Sequence, residues 1–420
     1  MAEFELRSDS SLNENRPGEK HIDNTTDEIN EEDYPDGGFR AWLVAAGTAG
    51  VFFCTMGYSN VFGIFQAYYI ADAISWIGAT QTFLQFFSGI LGGPLFDRYG
   101  TWVIRPAAVV YVFSIMMTSL CTKYWQFMLA QRILTGLSNG LVMFPSMTAV
   151  TQWFDKKRGA AMGASIACSS LGAVIFPVLL ANLLTRTDVS FGWSVRIAAF
   201  VMVPILAFSS SAIKCRLPPR KTHIITSEPF RQPMYLFIVA AIAFCMVGMF
   251  VPLFLMTTYA ITKGMDATLA SYLVAILNGA SIFGRVIPGI LADKLGKLNM
   301  LIAAGLSTGI LCFSWPLTET TTAIVVFVAI LGFCSGAILS GGPIALTVCI
   351  KDPKSSGMYM GLGMAMASVA ALVGPPIAGA LVDNYGFKEV SHLSGGMTLA
   401  GALIGIIAKY KSPEGVFGRI

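Results

Sequence analysis

The chain has 420 residues, of which 55% are apolar and only 12% charged, with 42 glycines and 20 methionines; its mean hydropathy is +0.65. Soluble globular proteins carry about a quarter charged residues, so this chain cannot cover a water-facing surface, and a soluble multidomain enzyme is excluded. The composition is that of a polytopic membrane protein, and its net charge of +4 hides a division between −9 on residues 1–39 and +13 on the rest.

The first 39 residues hold 12 of the 24 acidic side chains against Arg7, Arg16 and Lys20. With so little apolar surface to bury, this stretch is expected to be a disordered acidic tail. It has no basic segment leading into a short apolar run, so no cleavable signal peptide is expected.

About 20 apolar residues cross a bilayer as a helix. That length predicts twelve spans, at roughly 42–66, 76–96, 104–121, 125–149, 159–184, 193–213, 234–259, 268–291, 298–317, 321–349, 357–381 and 392–409. One sizeable polar interruption, 214–233, holds Lys214, Arg216, Arg220, Lys221 and Arg231 with four prolines. The expected architecture is all-α: an N-terminal six-helix bundle over 40–213, a linker over 214–233, a C-terminal bundle over 234–410 and a short tail over 411–420.

With the N-terminus placed in the cytoplasm, that side receives 21 of the 28 Lys and Arg residues and the other side five, leaving Arg132 and Arg285 inside spans. This bias predicts a multi-pass protein of the cell membrane with both termini cytoplasmic. The basic balance therefore reads as a topology code, and no nucleic-acid partner is expected. The eight cysteines stand singly in apolar surroundings, without CxxC pairs or histidines at ligand spacing, and read as small buried hydrophobes. No metal and no cofactor is expected.

A repeat runs through the chain. Gly93-Pro94-Leu95-Phe96-Asp97-Arg98-Tyr99-Gly100 closes the second span and Gly289-Ile290-Leu291-Ala292-Asp293-Lys294-Leu295-Gly296 the eighth, 196 residues on; Gly136 and Gly332 share that offset, and Pro145 and Pro343 lie 198 apart. A six-helix unit is therefore duplicated. A further copy ending in Asp383 and Gly386 closes the eleventh span, which hints at a three-helix repeat nested in each half.

Twelve spans with a G-x-L-x-D-[RK]-x-G loop after the second and eighth resemble the major facilitator superfamily over residues 40 to about 410. Pro35-Asp36-Gly37-Gly38-Phe39-Arg40-Ala41-Trp42 and Trp153-Phe154-Asp155-Lys156-Lys157-Arg158-Gly159 further resemble signatures of the monocarboxylate transporter family, in the wording of its fungal members. The resemblance implies alternating access to a central site between two bundles.

Asp97 and Arg98, with Asp293, are candidate conformational residues: each carboxylate can pair with a basic residue or a helix N-terminus across the bundle, or can simply cap its own helix. Arg285 lies deep in the eighth span, with no carboxylate within a turn on its own helix. Burying it there costs several kcal/mol unless it faces a wet cavity or a partner, and its planar fork suits a carboxylate. It is the leading candidate for gripping an anionic substrate, although bonding to helix carbonyls would also hold it. The family resemblance implies a substrate arginine at this place. Animal members have an aspartate one turn earlier and a lysine in the first span; here these are Ser281 and Asn60, which puts the animal proton-symport mechanism in doubt.

Arg132 resembles the superfamily's fourth-helix arginine and could serve coupling or packing equally. Gln66, Gln81, Gln85, Asn139, Asn60 and Asn278 could line a cavity or bind helices together; Asn60 and Asn278 are favoured as cavity residues from their expected mid-span positions. Paired Gly-Pro stretches, 172–177 and 374–379, point to helices that bend or pack closely. The abundant Met and Phe read as packing or lipid-facing residues.

No nucleotide-binding loop, HExxH or paired intramembrane carboxylates support an enzyme. The sequence reads as a secondary transporter for a small organic acid or acidic metabolite, leaning towards efflux of a bulky secondary metabolite. Proton-linked monocarboxylate or vitamin uptake is the alternative, with protons as candidate coupling ion, and a non-transporting receptor or sensor the second. The lipid bilayer and a small organic anion are the expected partners.

Overall fold

The computed structural model describes residues 34–61, 74–186, 189–220, 226–350 and 352–411, and the regular elements among them are helical. Ten helices are long and apolar enough to cross a bilayer. One of them, Thr80–Thr118, crosses twice by turning at Gly100–Val103. The shorter apolar helix Lys297–Phe313 supplies the remaining crossing, giving twelve.

In order, the spans are Gly38–Ser59, Ile74–Phe87 continued by Gly89–Tyr99, Ile104–Thr118, Trp125–Trp153, Arg158–Arg186 and Phe191–Ala212. The second six are Pro233–Thr262, Ala267–Leu295, Lys297–Phe313, Thr321–Leu346, Ser356–Tyr385 and Phe387–Tyr410. Large apolar side chains such as Phe113, Phe200, Ile310 and Val326 are exposed on the outside, where a soluble protein would carry charge. The three copies of the loop motif end their helices in the same way. Gly100, Gly296 and Gly386 follow spans 2, 8 and 11 with φ of 62°, 102° and 83°, a backbone that glycine adopts without steric cost.

Two boundaries differ from the sequence reading. The first helix ends at Ser59 rather than near 66; residues 62–73, Gln66 among them, lie outside the described residues. At its other end, Tyr34–Gly37 is packed rather than part of a loose tail, because the Asp36 carboxylate accepts the backbone N–H of Asp155 at 2.7 Å and of Lys157 at 3.3 Å. Residues 1–33 of the expected acidic tail, 221–225 of the linker and 412–420 of the C-terminal tail lie outside the description.

Within the first half, span 1 packs on spans 4, 5 and 6, and span 4 on spans 2 and 3; in the second, span 7 packs on 10, 11 and 12, and span 10 on 8 and 9. The duplication read from sequence is present in three dimensions. A Cβ on Gly136 would press on the Gln81 carbonyl and one on Gly140 on that of Gln85; Gly332 and Gly336 stand in the same relation to the carbonyls of Leu277 and Ser281. All four positions shift by 196 residues. Glycine lets two helix backbones touch in lipid, where no hydrophobic force draws them together.

The same economy makes a stability prediction. A methyl on Gly57 would lie 2.7 Å from the Gly172 Cα, whereas one on Gly279 meets nothing within 4 Å. Overpacking of this kind costs about 1–3 kcal/mol. Gly57→Ala is therefore expected to lower the melting temperature of the purified protein in detergent, and Gly279→Ala to leave it unchanged; equal melting of the two would refute this packing.

Candidate functional site

The two halves meet chiefly through span 2 with span 11 and span 5 with span 8, which are the same contact repeated. At the end of span 2, the Asp97 carboxylate accepts the N–H of Gly357 at 3.1 Å and of Met358 at 2.8 Å, at the start of span 11. At the end of span 8, Asp293 accepts the N–H of Gly159 at 2.7 Å and of Ala160 at 2.8 Å, at the start of span 5. The first turn of a helix has N–H groups with no partner inside the helix and a positive dipole end, so each carboxylate satisfies two donors and neutralises the helix terminus. These are the helix-terminus partners that the sequence allowed.

The glycines beside these contacts let the helices close. Gly93 faces Gly357 and Gly89 faces Gly361; Gly289 faces Gly159, and Gly163 faces the Arg285 carbonyl. Arg98 takes no part in this. Its side chain is exposed, with its guanidinium 5.7 Å from the ring of its neighbour Tyr99, because the helix turns it away from the interface that Asp97 enters. Asp383, in the third copy of the motif, is likewise exposed.

A collar of loop segments surrounds the Asp97 and Asp293 contacts. Asp36 is docked on the turn before span 5, and Arg158 pairs with Asp155 at 2.8 Å. The Gln152 side chain accepts the N–H of Arg216 at 3.0 Å, and the backbone N–H of Arg220 donates to the Asp97 carbonyl at 2.8 Å. The Tyr34 ring lies 4.8 Å from the Arg216 guanidinium, and burial raises its phenol above the ordinary value. The two stretches that carry the narrower resemblance, 35–42 and 153–163, are thus in direct contact, with the linker around them.

Arg285 is 5% exposed and reaches across the junction between the halves. Its guanidinium donates to the Ile166 carbonyl at 3.0 Å and to the Ser169 hydroxyl, both on span 5, while its Nε has no hydrogen-bond partner among the described residues. At the 196-residue offset its counterpart is Gly89; the repeat is broken here by a cation. Asn278 is buried on the same helix and donates to the Val274 carbonyl at 2.9 Å. Asn60 is not mid-span as expected. It caps the end of the first helix, exposed, and donates to the Met56 carbonyl at 3.0 Å, since the helix stops one residue before it.

Arg132 lies in a π-helical stretch, Met128–Leu134, that opens span 4, and it donates to the Gln81 side chain at 2.5 Å. Gln81 donates to Ser59 at 3.2 Å, Ser59 to Gln85 at 3.3 Å and Asn139 to Gln85 at 2.9 Å. The neutral polar residues of spans 1, 2 and 4 thus form one buried network with Arg132. A central cavity of about 10 Å³ lies beside it, close to the volume of one water. Its ten lining residues are apolar and come from both halves: Phe52, Met56, Phe86, Met143, Phe144, Met147 and Ile166 from the first, Leu339, Pro343 and Met364 from the second.

Composition alone assigns these Met and Phe side chains to packing or lipid contact, whereas the structure puts ten apolar residues around one cavity. Two signals were in the sequence: Phe52 with Met56, and Met143 with Met147, each pair four residues apart and so on one helix face. What faces that side could be learned only from the assembled bundles. Ile166 ties cavity and cation together, lining the first with its side chain and holding Arg285 with its carbonyl.

Two pseudo-symmetric six-helix units around a central cavity, closed on one face by a duplicated contact, define a membrane transporter of the alternating-access type. The Major Facilitator Superfamily matches residues 47–349 and 236–416, and the chain belongs to that family. Among its relatives, the "Aspyridones efflux protein apdF" of Emericella nidulans is 46% identical over 393 residues, 91% of this chain and 80% of that protein. The "Agnestins efflux protein AgnL12" of Paecilomyces divaricatus is 37% identical over 90% of this chain and 89% of its own length. The human organic anion transporter MFSD10 matches in fold with a TM-score of 0.72 at 14% identity, over 88% of this chain and 100% of its own. The transporter FucP, solved in its outward conformation, matches with a TM-score of 0.68 at 17% identity, over 89% and 99%. The protein is a transporter and not an enzyme.

Proposed function

We propose that this protein exports a bulky, largely apolar organic acid of secondary metabolism, with the acid group held by Arg285 and the body by the Met and Phe side chains of the central cavity. The observation that carries this reading is the coincidence of the two. The four methionines and three phenylalanines around the cavity, which in this closed arrangement holds about one water, suit an apolar molecule of variable outline once the halves part, and Ile166, which lines it, also holds the buried cation with its unpartnered Nε. The efflux names of the relatives support the direction. Asn278, buried about two turns before Arg285, is the assisting polar residue; Asn60 would reach a substrate only in a conformation that brings the end of span 1 inwards.

The same reading gives the conformational residues their work. Asp97 and Asp293 latch one face shut, and Arg132 holds spans 1, 2 and 4 as a unit while the latches open and close. That face carries the linker, and the excess of Lys and Arg on it supports placing it and both termini in the cytoplasm of a cell-membrane protein. In this reading the chain divides at 40–213, 214–233 and 234–410, a six-helix unit on either side of the linker. The contact between residues 35–42 and 153–163 supports the narrower kinship with monocarboxylate porters.

Flux in proteoliposomes under an imposed pH gradient tests the proposal, with a panel of lipophilic and short carboxylic acids. Saturable flux of the lipophilic acids is expected, falling at least about tenfold in Arg285→Ala because a charge-assisted hydrogen bond contributes about 1.5–3 kcal/mol. Flux of short acids alone, strictly following the pH gradient, would favour proton-linked uptake instead. Binding without any flux would favour a receptor. Undiminished flux in Arg285→Ala would remove the arginine from the site.

A further inference from the structure

The buried amide network beside the cavity has two hydrogen-bonding ends that the protein itself leaves under-used. Asn139 is fully buried, and its Nδ2 donates to Gln85, yet its Oδ1 has no hydrogen-bond partner among the described residues. The Gln85 side chain accepts from both Asn139 and Ser59, but its Nε2 reaches only the Met143 sulfur, at 3.8 Å. A thioether is a weak acceptor, and a buried carbonyl without a donor costs about 1–3 kcal/mol. The donor thus lies against Met143, which lines the cavity one helical turn after Asn139, while Phe86, another lining residue, directly follows Gln85; the two amides themselves sit just behind the lining.

The two halves are unequal in this respect. At the 196-residue offset, Gln81, Gln85 and Asn139 correspond to Leu277, Ser281 and Ser335, and Arg132 to Val328. Ser335 turns back to its own helix, donating to the Gly332 carbonyl at 3.2 Å. A network serving only to hold helices together would be needed equally in both halves of a duplicated fold, and the second half packs the same glycine contacts without it.

We infer that Asn139 and Gln85 form a second polar subsite that reads a neutral hydrogen-bonding group, a hydroxyl or its equivalent, on the substrate. The inference rests on the cavity reading above and deepens it. The substrate class, received when the halves part around a cavity that here holds about one water, becomes an apolar body with two polar features: an acid towards Arg285 on span 8 and a hydroxyl-like group towards spans 2 and 4. The hydroxyl donates to Asn139 Oδ1 and accepts from Gln85 Nε2, so both under-used ends are filled at once.

Two probes of one size decide it: 6-hydroxy-2-naphthoate and 6-methyl-2-naphthoate, titrated against the purified full-length protein by isothermal calorimetry. An apolar cavity alone would favour the methyl compound, because burying an unpaired hydroxyl is unfavourable. A subsite that satisfies the hydroxyl reverses the order, and the hydroxyl compound is expected to bind about tenfold more tightly. Asn139→Leu and Gln85→Met are each expected to abolish or invert that preference, whereas Arg285→Ala weakens both probes by the same factor and keeps their ratio. Equal or tighter binding of the methyl compound by the unmodified protein overturns the inference without any variant having to fold. A hydroxyl preference that survives in a folded Asn139→Leu or Gln85→Met protein also overturns it. Binding of neither probe fails the cavity reading itself, and this inference with it.

Discussion

Gly357→Val is expected to abolish transport while leaving the protein folded. A Cβ at this position would press on the Gly93 carbonyl oxygen and lie 2.7 Å from the Asp97 carboxylate, so both the close approach of spans 2 and 11 and the hydrogen bonds to Asp97 are lost together. The obstruction lies between the halves rather than within either, and each half can relieve it by staying apart. The expected consequence is a protein trapped open at the linker face. Since alternating access requires each face to close in turn, turnover falls to background even though a ligand can still bind. The check is to measure binding and flux side by side: binding retained with flux lost is the expected pattern. The symmetric variant, Gly159→Val, should behave alike, because a side chain there meets the Gly289 carbonyl and Asp293. Wild-type flux in either variant would mean that this face does not close through these helices.

Replacing Asp97 or Asp293 is expected to shift the same equilibrium by degrees. Asp97→Asn keeps the shape but turns one acceptor into an NH₂ group facing a backbone N–H, and it removes the negative charge from the N-terminus of span 11. Hydrogen bonds to a charged partner contribute about 1.5–3 kcal/mol, so one substitution is expected to move the closed-to-open ratio at least about tenfold. Asp293→Asn should do the same at span 5. The two sites share no residue, so the double variant is expected to show the product of the two effects. Hydrogen exchange followed by mass spectrometry reads this directly. In the unmodified protein the amides of Gly357, Met358, Gly159 and Ala160 are donors to carboxylates, and each variant should lose protection at its own helix start first. Unchanged exchange at both starts would show that the carboxylates cap without latching.

These predictions stand on residues that differ in how far the sequence revealed them. The twelve spans and the two halves were legible because hydropathy acts along the chain: a helix in lipid must satisfy its own backbone, so its length and composition announce it. The duplication was legible too, since Asp97 with Asp293 and Gly136 with Gly332 keep one offset. The loop aspartates could be named as latch candidates, though not their partners. Asp97 and Gly357 are 260 residues apart, and nothing local to either announces the other. Arg98, adjacent to Asp97 and grouped with it, belongs to the other side of the helix, and only the assembled rotation of span 2 separates them.

The surroundings of Arg285 and of the cavity were the least legible part. Arg285 stood out because a cation in an apolar run is costly, but its partners on span 5 come from the other half of the chain. Hydropathy continues past the point where the first helix stops, so it gives no sign that Asn60 caps the helix end. Asn139, Gln85 and the cavity methionines carry no local sign of their neighbours.

The low charge content and its distribution show what the sequence determined by itself: a bilayer as solvent, twelve crossings, a duplicated unit and two arginines that needed partners. Tertiary structure alone decided which carboxylate met which helix terminus, that Met and Phe from both halves would enclose one cavity, and that Arg132, Gln81, Gln85 and Asn139 would join in one network. The physical reason is range. Transfer from water to lipid is summed residue by residue along the chain, whereas a hydrogen bond or a cavity wall exists only when groups far apart in sequence arrive within a few ångströms of each other.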